Sequence, residues 1–83
     1  MPKFRKRPVV IEARKFVKPY EAVRIWCGGE LIKESEGNTI AGMIVPTQEG
    51  QLAARVGDWI IRGVKGEFYP CKPDIFEATY EPA

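Results

Sequence analysis

The side chains of this chain that could do chemistry gather on one stretch, Gly57 to Tyr80, GDWIIRGVKGEFYPCKPDIFEATY. Arg62, Lys65 and Lys72 stand on the turn and the exit of a hairpin that also carries Trp59, Phe68 and Tyr69. Cations beside aromatic faces suit a nucleotide or an exposed base, because guanidinium and ammonium groups pair with phosphate while the rings stack. Trp59, Arg62, Lys65, Tyr69 and Lys72 are therefore the candidate ligand-binding set. Gly63-Val64-Lys65-Gly66 adds exposed backbone amides. Its spacing is not the G-x-x-x-x-G-K-[ST] of a phosphate-binding loop, and a hairpin turn explains the same glycines more simply.

Catalysis has little to work with. There is no histidine, which removes the usual general base and the Ser-His and Cys-His nucleophile pairs. Cys71, between Pro70 and Lys72 at the start of a helix, has neighbours that could lower its pKa. No base, oxyanion donor pair or resolving cysteine accompanies it, so it reads as a structural thiol. Cys27 and Cys71 are the two cysteines; their separation fits neither a zinc pattern nor a disulfide scaffold, and no metal or cofactor is expected. Asp58 follows Gly57 as a turn residue, and Asp74 and Glu77 favour a helix start. The expectation is a protein that binds and does not catalyse.

The elements that must position these residues follow from patterning. With 83 residues the chain is one domain that buries roughly 60% of its unfolded surface, so association of copies would add needed stability. Trp59, Ile60 and Ile61 are strand formers after the Gly57-Asp58 turn, and Glu67 to Cys71 returns antiparallel to Trp59–Arg62. Pro70 lacks a ladder donor and belongs at a sheet edge. A helix opening at Pro73, with Phe76 and Tyr80 four residues apart, is predicted to cover that edge.

Upstream, Pro8 introduces a strand over Val9 to Phe16, with Val9, Ile11 and Ala13 facing a core and Phe4 and Phe16 completing it from the ends. Pro19 to Cys27 is the clear helix, stopped by Gly28-Gly29, with Val23, Trp26 and Cys27 on one stripe. Trp26 there is a core anchor. Glu30–Lys33 is a short strand, and Thr39 to Thr47 is a strand bulged around Gly42. Gln48-Glu49-Gly50 turns the chain into a further strand, Gln51 to Val56. Short turns between strands argue for α+β: a strongly bent antiparallel sheet or small open barrel, one helix packed on it and a short C-terminal helix.

Charge is uneven. Lys3, Arg5, Lys6, Arg7, Arg14, Lys15 and Lys18 against Glu12 leave the first 18 residues at +6, while Glu67, Asp74, Glu77 and Glu81 against Lys72 leave the last 17 at −3. That asymmetry fits an anionic partner at the basic end, or unlike surfaces of two copies meeting. With an overall net charge of only +2 and no basic recognition helix, duplex nucleic acid is not the expected partner. No run is long and apolar enough for a membrane span, and the basic N-terminus lacks the apolar core of a signal peptide, so a cytoplasmic setting is expected.

The opening KFRKRPVVIEA, the WCGG after the first helix and the C-terminal GDWIIRGVKGEFYPCKPDIFEATYE resemble a group of small proteins encoded by bacteriophages and prophages. The resemblance implies a phage origin and a cytoplasmic setting during infection, and it carries over no catalytic residues to this chain. With the hairpin cations and aromatics it suggests antagonism of a host defence, by sequestering a nucleotide immune signal between copies in a homo-oligomer. A module that grips a host or phage protein through a sheet edge is the second expectation. A nucleic-acid-binding accessory protein, with affinity falling steeply with salt, is the third.

Overall fold

A computed structural model describes residues 2–5 and 8–83. In chain order the elements are β1 (Glu12–Lys15), α1 (Tyr20–Cys27), β2 (Glu30–Lys33), β3 (Ile40–Thr47), β4 (Gly50–Arg55), β5 (Trp59–Arg62), β6 (Phe68–Cys71) and α2 (Pro73–Thr79). The strands form two antiparallel three-stranded sheets, ordered β1-β5-β6 and β2-β3-β4. Neither sheet closes on itself. The α+β class and open antiparallel arrangement read from the sequence are present, with the ladder divided in two and β6 running against β3 and β4.

Alternation along the strands sets the layers. Met43, Val45 and Ala54 of β3 and β4 and Ile60 of β5 point into the space between the sheets, where Phe16, Val23 and Cys27 complete the buried core. Tyr20, Trp26, Leu31, Ile40 and Phe68 pack around them. Ile61, one residue on, is equally buried but faces the other side of its sheet. That side receives α2, whose Phe76 stacks on Trp59 with ring centroids 4.2 Å apart and planes at 10°. The β1-β5-β6 sheet therefore carries packing on both faces.

Pro70, across from Ile60, lies on the outer strand of its sheet, as a residue without an N–H requires. Pro46 is accommodated differently. β3 is central, but β2 pairs it only as far as Ile44, so Pro46 lies beyond the last β2 partner. The expected bulge is present beside Gly42: the β2–β3 register slips between Ile32 and Lys33, leaving Ala41 without an opposite number.

Helix α1 ends as its glycines dictate. Gly28 takes the left-handed conformation at φ 70°, and a side chain on Gly29 would meet the Met43 thioether at 2.7 Å and the Ile44 carbonyl at 3.0 Å. The α1 end can approach β3 that closely only without a β-carbon.

Three expectations for the N-terminal part are corrected. The strand predicted over Val9 to Phe16 is paired with its neighbour only from Glu12 onward, because Glu12 lies opposite Arg62 and β5 ends there, so residues 8–11 run past their partner. Val9 is consequently half-exposed and Val10 is 80% exposed, instead of Val9 facing a core. Phe16 reaches the core, but by a bend after β1, where the Val17 N–H donates to the Lys15 carbonyl at 2.9 Å. Phe4 completes nothing, being 93% exposed. The expected basic lead-in also includes Lys6 and Arg7, which lie outside the described residues.

Candidate functional site

The hairpin expected to bind a ligand forms, and its alternation separates the residues proposed for that task. Along β5 and β6, Trp59, Ile61, Tyr69 and Cys71 share one face, while Ile60, Arg62, Phe68 and Pro70 share the other. Arg62 is thereby placed on the opposite side of the sheet from Trp59 and Tyr69. Its guanidinium lies 3.8 Å from the Glu12 carboxylate across the β1–β5 ladder. The aromatic faces of the set meet the chain's own C-terminal helix: Phe76 covers Trp59, Tyr80 follows Phe76 at 5.1 Å, and Tyr80 also engages Tyr69.

The other two cations flank β6. Lys72 Nζ lies 3.3 Å from Asp58 Oδ2. Asp58 is 5% exposed, and its carboxylate also accepts the Arg55 backbone N–H at 2.9 Å. It ties the β4–β5 turn to the entry of α2, the turn role expected of it. Lys65 sits on the β5–β6 turn, where its backbone N–H donates to Glu67 Oε1 at 3.3 Å. Gly66 supplies the positive φ, 80°, for that turn; the Gly63 N–H donates to the Glu67 carbonyl at 2.7 Å. The five residues do not converge on one cavity.

Burial raises the pKa values of the two thiols and the Tyr69 phenol. Burial pushes the Cys71 thiol up, and the Asp58 and Asp74 carboxylates push it further, so the lowered pKa considered from its sequence neighbours is not realised. Burial also raises Cys27, whose Sγ lies 4.0 Å from the Met43 sulfur. Tyr69 is pushed up to about 12, first by burial and then by its hydrogen bond with Tyr80. Among the described residues no cluster of three or more His, Cys, Asp or Glu is placed to hold a metal ion.

A concavity lies at the open mouth between the β3–β4 hairpin and β6. It is a groove of about 620 Å³ walled by Leu52 and Thr47 of the β3–β4 hairpin, Phe68 and Tyr69 of β6, and Val64 on the β5–β6 turn. Val9, Ile11 and Tyr80 close its other side, and Glu49 and Glu67 bring carboxylates to it. No lysine or arginine is among the described residues lining it. Leu52 and Thr47 continue the inward-facing rows of Ala54 and Val45, so one wall of the groove is an extension of the core rows. A second cavity, about 450 Å³, lies on the α2 side, between Val9–Ile11 and Trp59, Phe76, Tyr80 and Glu81. A shallower one holds Arg62 with Val10, Glu12 and the turn glycines.

Of the sequence-derived set, Tyr69 lines the groove, Trp59 the α2-side cavity and Arg62 the shallow one, while Lys65 and Lys72 line none of these. Leu52, Phe68, Val64 and Tyr80 were not foreseen as groove residues. Val64 carried a signal, since a valine at the tip of a glycine turn has no local reason to be apolar. Leu52 carried none, because only the meeting of the two sheets puts it beside Phe68.

Fold and groove together define an α+β protein of two open antiparallel sheets with a largely apolar mouth. No protein-family model, curated protein or solved structure matches the chain. No helix is long and apolar enough to cross a membrane among the described residues.

Proposed function

We propose that the protein is a non-enzymatic binding module that holds a polypeptide segment of a partner protein in the groove between its sheets. The observation that supports this best is the chemistry of the groove wall: Leu52, Val64, Phe68, Val9 and Ile11 offer apolar surface, and two carboxylates stand among them. An apolar segment carrying a lysine or arginine fits such a wall, the apolar side chains filling it and the cation meeting Glu49 or Glu67. Half-exposed Leu52 and well-exposed Val64 make that surface accessible.

The resemblance to phage-encoded proteins carries the rest of the reading. It puts the partner among the proteins of an infected bacterium, with a host defence protein as the first candidate and the cytoplasm as the setting. Sequestration of a nucleotide signal is the reading that the hairpin composition favoured. It draws less support from the geometry, because Arg62 is turned away from the aromatic rings and Lys72 lies against Asp58.

The test is affinity capture from bacteria followed by cross-linking mass spectrometry, with wild type beside Leu52→Asp and Val64→Asp. A single polypeptide cross-linked beside the groove, and weakened about tenfold or more by either aspartate, is the expected result. In parallel, calorimetry against cyclic dinucleotides and cyclic ADP-ribose isomers should detect no binding. Retention of such a nucleotide, lost in Arg62→Ala, overturns the polypeptide reading in favour of nucleotide sequestration.

A further inference from the structure

The geometry points to a homodimer built by antiparallel pairing of β1 with β1 of a second copy, centred on Ala13. This does not rest on the groove reading. β1 is an outer strand of its sheet, and the β-forming run VVIEARK overshoots its intrachain partner at the N-terminal end. Residues 9–11 thus have strand chemistry and no ladder in their own chain.

The hydrogen-bonding direction of the free edge follows from its neighbour. Phe16 gives its N–H to the Asp58 carbonyl and accepts the Gly57 N–H, both at 2.8 Å, so its polar groups face β5. Alternation then turns those of Arg14 and Glu12 toward β5 as well, and those of Ile11, Ala13 and Lys15 outward. A two-fold axis at Ala13 sets Ala13 opposite Ala13 and Ile11 opposite Lys15 of the second copy. Those are the pairs whose groups point at one another.

The same register sets Glu12 opposite Arg14 of the second copy, twice, as a pair without ladder hydrogen bonds, the geometry in which facing side chains come closest. Charges on an outer strand ordinarily discourage pairing with other chains. Here their signs alternate so that the edge complements itself and no other register of that parity pairs both. The pairing ends at Lys15, whose carbonyl already accepts the Val17 N–H. It also brings Lys15 of the second copy beside Ile11, on the face where Glu77 and Glu81 line the α2-side cavity. The basic N-terminal half of one copy thereby meets the acidic C-terminal end of the other. One β1 pairs once, so assembly through this edge closes at two.

Sedimentation equilibrium of the purified chain tests this. Wild type should show twice the chain mass. Ala13→Pro removes an N–H that faces away from β5, so it should give single chains with an unchanged far-ultraviolet spectrum. Glu12→Arg should weaken dimerisation about tenfold or more, and the double variant Glu12→Arg/Arg14→Glu should restore it, which depends on the register and not merely on contact. Should Ala13→Pro fail to fold, the charge exchange decides alone. A wild-type chain that stays single at high micromolar concentration overturns the proposal, as does a dimer indifferent to the charge reversal.

Discussion

At the scale of single residues the most consequential side chain is Asp58. Its buried carboxylate holds the Arg55 N–H and the Lys72 ammonium, so Asp58→Ala strips the acceptor from the part-buried Arg55 N–H and leaves a gap where a buried group stood. The expected loss in urea unfolding is about 1–3 kcal/mol. Lys72→Ala should cost no more than about 1 kcal/mol, because its side chain is half-exposed and well solvated. Tyr69 sets a pH dependence. Its folded pKa of about 12 lies above the ordinary tyrosine value of about 10, so the folded state binds the phenolic proton more tightly than the unfolded chain. That stabilisation is complete below about pH 10, declines as the unfolded chain ionises, and is gone above about pH 12. Urea midpoints across this range should fall in wild type and fall less in Tyr69→Phe. The cysteines give a further readout: with both pKa values raised, thiol labelling at neutral pH should be slow at Cys71 and slower still at buried Cys27.

At the scale of elements, α2 is held chiefly by its aromatic residues. It spans seven residues, has no fully buried side chain and no side-chain cap, so its stability comes from docking and not from the helix itself. Phe76 on Trp59 is the principal anchor. Phe76→Ala should cost about 2 kcal/mol, combining lost burial with the aromatic pair. In a Trp26→Phe background the emission of Trp59 should shift to the red as α2 detaches. The α1–β3 contact is tighter. Gly29→Ala forces a methyl against the Met43 sulfur and the Ile44 carbonyl, and the expected cost is about 1–3 kcal/mol by overpacking, read as a lower urea midpoint.

At the scale of the whole molecule, two small open sheets leave outer strands and a groove uncovered among the described residues. A domain of 83 residues has little surplus stability, so any association should register in unfolding. If copies pair through β1, the thermal midpoint should rise with protein concentration, and Ala13→Pro should abolish that dependence. The rows that make the core continue into the groove, where Leu52 and Thr47 form part of its wall.

Much of the fold was legible in the sequence because it is local. The glycine-bounded β5–β6 hairpin, the proline that opens α2, the Gly28-Gly29 stop of α1 and the bulge beside Gly42 each follow from backbone sterics acting over a few residues. Pro70 announced an outer strand for the same reason. The candidate site was not legible, because it depends on faces. Arg62 and Tyr69 are close in sequence and lie on the same hairpin, yet ladder register sends them to opposite sides of a sheet whose two faces are both packed. The aromatic rings that could have stacked on a ligand meet Phe76 and Tyr80, and Val9 to Ile11 lose their partner only because β5 stops at Arg62. Local chemistry determined the elements. Which side chains share a surface was decided by pairing and packing between distant segments, through which alternation becomes inside and outside.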